Sequence, residues 1–355
     1  MDTPDAANPP TGPVDWGLAA RIGARLAAPG PTAGRQELAD LVAELREAAG
    51  LAAVHVAQIA QLSAADGTAP QDVARVLVVD RPRWAQANAE MFAVMTANGT
   101  APAPRRTASG AVQVGGVLAL LSSKVLGQFD PFTARPGQRG RLLLVAPNVL
   151  HHERKLGVDP ADFRLWVALH EQTHAMQFAA APWLADHLRT RAAALLADLT
   201  ADQGRGAGDL LQTVTRALRG DDADDATGGV LALLSPEQRV VFEEVGAVMA
   251  LLEGHADVTM DEVGPSVVPS VRRIRKAFDA RRDRASEGKG LDKVLRRVLG
   301  LDAKLAQYRD GATFVRAVRR SVGTTGFNAV FATPDNLPRP AEIADAAAWV
   351  RRVHG

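Results

Sequence analysis

The chain has 355 residues, with no cysteine, one tyrosine, few aromatic residues overall and a net formal charge of only +1. Without cysteine it has no disulfides and no thiolate ligands, so any metal must be held by histidine and carboxylate side chains. A charge this close to zero gives no overall attraction to nucleic acid or to a membrane surface. No apolar run approaches the roughly 18 residues that a membrane span requires.

These absences limit the expected partners and location. We expect no nucleic-acid partner and no membrane association. The lack of cysteine and of a signal-peptide pattern at the N-terminus is typical of a cytoplasmic protein. Nothing in the sequence indicates the oligomeric state.

Apolar residues recur at helical spacing through most of the chain, in segments 17–27, 35–61, 70–78, 83–97 and 115–127 among others. Residues 127–140 have a loop composition, and RLLLVAP (141–147) is the clearest strand. This pattern predicts an α+β fold that is predominantly helical. We expect a disordered tail at 1–14, a helical region at 15–110, and a metal-binding region at 111–355, the last two forming one compact unit.

Two helices carry clear start signals. Asp159 is a suitable N-cap and Pro160 suits the first helical position, which predicts a helix over 160–180. The sequence SPEQ (235–238) has the serine and glutamine spacing of a capping box and opens a second long helix.

The first of these helices contains His170-Glu171-x-x-His174. Residues four apart lie on one helix face, so both imidazoles can reach one ion. Glu171 is one position further round, where a carboxylate can take a proton from a water activated by the ion. Two histidines leave a catalytic zinc site one protein ligand short, so a third ligand must come from elsewhere.

The second helix supplies the candidates, in LLEGHAD (251–257). Glu253 and Asp257 share a face, so Glu253 can complete the metal site while Asp257 accepts the free N–H of a ligand histidine. His255 is a second candidate for the third ligand. It cannot face the metal together with Glu253, because the two differ by about 200° around a helix.

Several other polar groups have more ordinary interpretations. Tyr308 and His255 are candidates for stabilising an oxyanion, although no spacing places Tyr308 near the metal. The cluster HHE (151–153) has ligand residue types, but consecutive residues diverge on a helix. The segment 271–300 is locally basic and could contact phosphates, but it is more typical of the solvated face of an amphipathic helix.

Taken together, LHEQTHAMQF, LLEGHADVTMD, GQFDPF and FNAVFATPDNLP resemble the zincin superfamily, in its branch with a glutamate as third ligand. More narrowly, they resemble a mostly actinobacterial family of zinc-dependent metallopeptidases associated with deazaflavin-coenzyme biosynthesis. The resemblance implies a zincin-like catalytic core with a small sheet and additional N- and C-terminal helices. It also implies zinc held by His170, His174 and Glu253, with Glu171 as general base.

In the superfamily an edge strand binds an extended substrate by strand addition, and the resemblance gives that role to Leu142–Val145. The alternative for these residues is an ordinary buried strand. We therefore expect a zinc-dependent peptidase that acts on peptide or protein substrates. The alternative is a helical interaction protein that retains a structural or vestigial zincin site.

Overall fold

The computed structural model describes residues 14–96, 108–135, 137–201, 235–277 and 310–355. Helices dominate these residues, which confirms the predominantly helical α+β fold with a small sheet. Tyr308, the tail expected at 1–14 (apart from Val14) and most of the basic segment 271–300 lie outside the described residues. In chain order the elements are α1 (Trp16–Leu26), α2 (Arg35–Ala60), β1 (Ala74–Val79), α3 (Arg81–Thr96), α4 (Ala108–Leu121), β2 (Gly127–Asp130), β3 (Gly140–Val145), α5 (Ala146–Leu156), α6 (Pro160–Ala180), α7 (Trp183–Ala201), α8 (Pro236–Glu262), α9 (Asp310–Phe327) and α10 (Ala346–His354), with short 3₁₀ turns at Pro70–Asp72, Asn328–Phe331, Pro334–Asn336 and Pro340–Ile343.

The predicted start signals of α6 and α8 are confirmed. The Asp159 carboxylate accepts the backbone N–H of Asp162 at 3.0 Å, which satisfies one of the free amides at the start of α6. At α8, Ser235 and Gln238 form both bonds of a capping box, at 2.9 and 3.2 Å. These local bonds fix where the two helices of the metal motif begin.

The sheet has three strands in the order β1-β3-β2. β3 pairs in parallel with β1 and antiparallel with β2, and the register places Gly127 opposite Leu144. Alternate residues of β3 enter two different cores: Leu142 and Leu144 pack with α2 and α6, whereas Leu143 and Val145 pack against Trp84 of α3. A strand buried on both faces explains why this run is apolar without alternation.

Two strands were missed by the helical periodicity. Residues 70–78, predicted as helix, form a 3₁₀ turn followed by β1. The predicted loop at 127–140 begins with β2, and the helix predicted over 115–127 ends at Leu121. Six and four residues are too short for periodicity to distinguish helix from strand, and the pairing with β3 decides.

The expected edge position of Leu142–Val145 is wrong. β3 is the central strand of the sheet and is paired on both sides, so it cannot add a substrate strand. Among the described strands the edges are β1 and β2, and β2 packs against the metal-motif helix α6.

Packing of distant helices positions the site. α2 and α8 both pack against α6, and α9 crosses α8 at close range. At that crossing a Cβ on Gly254 would overlap the backbone of Gly311, and one on Gly311 would overlap the Ala250 carbonyl. The crossing therefore requires glycine on both helices, and Gly254 is the residue directly after Glu253.

β1 comes from the predicted N-terminal region, yet it completes the sheet with β3. None of the described helices has the length and apolar character needed to cross a membrane.

Candidate metal centre

The two histidines of α6 point into one shared space. Their rings lie edge to face with centroids 4.8 Å apart. The Nε2 atoms of His170 and His174 approach to 3.2 Å. The spacing of four residues therefore brings both imidazoles to one point, as helix geometry predicts.

Glu253 of α8 completes a three-residue group. Its Oε2 lies 3.4 Å from His170 Nε2, and its Oε1 lies 3.5 Å from His174 Nε2. Two donors that are each about 2.1 Å from a tetrahedral ion are separated by about 3.4 Å, so the three side chains fit a metal ion such as zinc. Within the described residues, no fourth histidine, aspartate or glutamate joins this group.

The group is partly open to solvent. The side chains of His170, His174 and Glu253 are 24%, 13% and 53% exposed, respectively. A structural zinc site is closed by four protein ligands, whereas a catalytic site keeps a position for water or substrate. The partly exposed group of three donors resembles the open arrangement of a catalytic site.

Electrostatics favour a cation at this position. Burial works to lower the pKa of His170, but the hydrogen bond and negative charge of Glu253 outweigh it and raise that pKa to about 9. The pKa of His174 is lowered, chiefly by burial. The carboxylate and the two imidazoles thus stabilise one positive charge between them, either a proton or a metal ion.

Glu171 lies beside the group and against strand β2. It is 6% exposed. Burial raises its pKa to about 7, against the opposing charge of His170 and with a further increase from Glu253. A Cβ on Gly127 would lie 2.5 Å from the Cγ of Glu171 and 2.7 Å from its Oε1. The glutamate therefore occupies space that exists only because residue 127 has no side chain.

Three contributing residues were not identified from the sequence: Gln177, Met260 and Gly127. The Gln177 Oε1 lies 3.0 Å from His174 Nδ1, and the Met260 Sδ lies 3.2 Å from His170 Nδ1. Gln177 is three positions after His174 on the same helix, so helical spacing could have indicated it. Met260 is seven residues after Glu253 on α8 and lies on the same face, so helical spacing could have indicated it as well. Gly127 reaches the site from β2, and no local spacing connects it to the metal motif.

The expected role of Asp257 is corrected. Its Oδ1 accepts a hydrogen bond from Arg275 at 3.2 Å, and its backbone carbonyl accepts another from the same guanidinium. The Nδ1 atoms of the two candidate ligand histidines instead contact Gln177 and Met260. Asp257 shares a helix face with Glu253, but its carboxylate binds Arg275. The guanidinium of Arg275 in turn lies over the Trp166 ring.

The expected roles of His255 as metal ligand or oxyanion donor are also corrected. Its ring is fully buried and lies against Phe327 and Phe331, with centroids 5.1 and 5.6 Å away. Its Nδ1 contacts Gln177. Burial lowers its pKa to about 3. A ring enclosed in this way cannot touch a substrate. His152, from the HHE cluster, is also buried, on α5 and outside the metal group.

Comparison with known proteins shows which family the chain is similar to. The family of zincin-like metallopeptidases matches residues 14–350. Among solved structures, one from Chloroflexus aurantiacus described as "a putative hydrolase with a novel fold" is 29% identical, with a TM-score of 0.65, and the similarity covers 96% of this chain and 98% of that chain. No curated protein matches at a comparable level of significance. The actinobacterial origin and the link to deazaflavin-coenzyme biosynthesis stay predictions. Because the family match includes both helices of the metal group and nearly all of the fold, the chain belongs to the zincin-like metallopeptidase family.

Proposed function

We propose that this protein is a zinc-dependent hydrolase, and specifically a metallopeptidase, whose ion is held by His170, His174 and Glu253. The observation that carries the proposal is the solvent-open group of three donors with the buried Glu171 beside it. A zinc ion bound there supplies Lewis acidity, which makes water an effective nucleophile near neutral pH.

Glu171 has the position and the chemistry of a general base. A base works best when its pKa lies near the working pH, and burial raises the pKa of this carboxyl to about 7. In the proposed reaction Glu171 takes the proton of the attacking water and then passes it to the leaving amine. The C–N bond of the peptide breaks while a C–O bond forms, so one water is consumed for each bond cut.

Strand β2 is the proposed binding edge for an extended substrate. It borders α6, and its Gly127 lies directly against Glu171. Backbone pairing along Gly127–Asp130 would place a peptide next to the base with little dependence on its sequence. Phe129 of β2 and Phe178 of α6 form a partly exposed aromatic pair, with centroids 5.6 Å apart. This pair favours an apolar side chain on that part of the substrate.

The rival function, an interaction protein with a structural or vestigial metal site, is less well supported. A site that serves only for stability has no need of an open position or of a buried carboxylate beside it. Here both are present, and the described residues supply no fourth ligand.

The deciding experiment measures the metal content of purified protein and its activity on a peptide library, for the wild type and for Glu171→Gln. We expect about one zinc per chain in both proteins, and a loss of roughly 10²–10⁴-fold in hydrolysis for the variant. Glu47→Gln, on an exposed position of α2, is the matched control and should behave as wild type. Unchanged hydrolysis by Glu171→Gln would exclude it as the base.

A second pair of variants tests the third ligand. Glu253→Ala removes a donor of the group, whereas His255→Ala removes a buried ring that does not reach it. We expect zinc occupancy after dialysis to fall much further for Glu253→Ala than for His255→Ala. The opposite order would show that the third ligand is wrongly assigned.

A further inference from the structure

Gln177 is fully buried on α6, three residues after His174, and its amide makes three polar contacts. Oε1 lies 3.0 Å from His174 Nδ1. Nε2 lies 3.0 Å from the backbone carbonyl of Leu252 and 3.1 Å from His255 Nδ1. One side chain therefore connects a ligand histidine, the helix that carries the third ligand, and a buried histidine behind the site.

The Leu252 carbonyl fixes which end of the amide points where. A backbone carbonyl can only accept a hydrogen bond, so the NH₂ group of Gln177 must face it. Rotating the amide by 180° would bring two oxygens to about 3 Å and would leave both buried groups unsatisfied, at a cost of about 1–3 kcal/mol each. Oε1 is consequently the atom that faces His174.

This orientation determines the tautomer of His174. Because Oε1 is an acceptor, the Nδ1 of His174 must carry the proton that it accepts. The Nε2 lone pair of that ring is then free, and Nε2 is the atom that lies 3.2 Å from His170 and 3.5 Å from Glu253. The amide thus presents the correct nitrogen to the metal group before any ion binds.

The same amide determines the opposite tautomer in His255. The NH₂ group of Gln177 donates to His255 Nδ1, so that nitrogen is unprotonated and Nε2 carries the hydrogen. Nε2 of His255 has no hydrogen-bond partner among the described residues, and the ring packs between Phe327 and Phe331. An N–H among aromatic rings is tolerated more easily than a lone pair, which the negative faces of the rings would repel.

We propose that Gln177 is a positioning residue for the metal centre, which sets His174 in the Nδ1–H form and His255 in the Nε2–H form through one amide anchored on Leu252. The inference rests on the metal site of the proposed function, but not on the reaction. The proposal also gives His255 a structural role: its buried ring, which packs against Phe327 and Phe331, contacts the Nε2 end of the amide.

The direct test is a ¹⁵N–¹H correlation spectrum of the histidine rings in metal-free, ¹⁵N-labelled protein. Protonated and unprotonated ring nitrogens have widely separated ¹⁵N shifts, and His174→Ala and His255→Phe identify the two sets of signals. We expect the proton on Nδ1 in His174 and on Nε2 in His255. The same tautomer in both rings would overturn the proposal.

Metal affinity provides a second test through Gln177→Met, which keeps the side-chain length but removes the amide. Loss of an outer hydrogen bond to a ligand histidine typically weakens metal binding by about 10–100-fold. The matched control is Gln172→Met on the same helix, because Gln172 is also buried and donates to a backbone carbonyl, that of Ala49, at 3.0 Å. We expect its zinc affinity, measured by chelator competition, to stay within about threefold of the wild-type value, as expected for a site without contact to the ligands.

Gln177→Glu separates positioning from packing. A carboxylate still accepts from His174 Nδ1, so that ring should keep its tautomer, and zinc should bind more tightly than it does to Gln177→Met. The second carboxylate oxygen would face the Leu252 carbonyl without a proton to donate, so this variant should be less stable than the wild type. Equal zinc affinities for Gln177→Met and Gln172→Met, both folded by circular dichroism, would contradict the proposal. If the wild type shows the two tautomers but hydrolyses no peptide, the proposed reaction fails while the positioning role stands. If Gln177→Met does not fold, the wild-type spectrum still decides.

Discussion

Replacing Gly127 by alanine tests whether Glu171 acts from the position that the fold gives it. The added Cβ would lie 2.5 Å from the Glu171 Cγ, and ordinary contact begins at 3.4 Å, so the glutamate must retreat by about 0.9 Å. A misplacement of about 1 Å at a catalytic group can reduce the rate by 10²-fold. We therefore expect kcat to fall about 100-fold, which corresponds to about 2.7 kcal/mol of lost transition-state stabilisation.

Folding should be weakened moderately by this change, whereas metal binding should be nearly unaffected. The colliding atoms belong to the buried Glu171 side chain, whose Cγ and Cδ must both shift, and overpacking of this kind costs about 1–3 kcal/mol. Gly127 has no left-handed backbone angle, so alanine adds no backbone strain. Glu171 is not one of the three metal donors, and zinc affinity should therefore stay within about threefold, well below the 10–100-fold cost of disturbing a ligand.

The assay is steady-state hydrolysis of the best library peptide, together with chelator competition for zinc and urea denaturation. Gly116→Ala in α4 is the matched control, because nothing lies within 4 Å of a Cβ at that position. A Gly127→Ala enzyme with wild-type kcat would refute the reasoning, since Glu171 would then act equally well from a different place. A parallel loss of zinc would show instead that the substitution disturbs the ligands.

The remaining predictions concern stability. Asp130→Asn leaves the buried Arg141 without its buried partner and should lower the free energy of unfolding by about 3 kcal/mol. Glu90→Gln, at the exposed end of the same cluster, should cost less than about 1 kcal/mol in the same urea titration; the reverse order would contradict the assignment of the buried pair. Gly254→Ala forces α8 away from the Gly311 backbone and should cost about 1–3 kcal/mol or more, and an unchanged denaturation midpoint would show that the crossing is looser than described. Removal of zinc by a chelator should lower the free energy of unfolding by about 2.7 kcal/mol relative to protein with free zinc at 100 times its Kd. Identical melting temperatures with and without the chelator would argue against a site formed by the folded state.

The predictions of two helix starts and of the histidine pair were correct. The N-cap of α6, the capping box of α8 and the convergence of His170 and His174 follow from bonds and spacings within one helical turn. Predictions about distant pairing were less successful. β1 and β2 were missed because strands of six and four residues are defined by their hydrogen bonds to β3.

The outer contacts of the metal group show the same limit. The sequence offered Asp257 as the partner of a ligand histidine, because it lies one turn from Glu253. The structure gives that role to Gln177, since the packing of α6 on α8 brings the Leu252 carbonyl within 3.0 Å of its amide. Asp257 instead turns to Arg275. Helical spacing predicts which residues share a face, but the packing of the helices determines which of them contacts the ligand histidine.

The sequence by itself determined which residues could bind a metal: without cysteine, two histidines one turn apart and a carboxylate from a second capped helix were the available donors. Tertiary structure decided that Glu253 and not His255 faces those histidines, and that β2 and not β3 is the edge strand beside them. It also decided that Gly127 leaves room for Glu171. Each of these depends on how segments distant in sequence pack together, and local spacing contains no information about that packing.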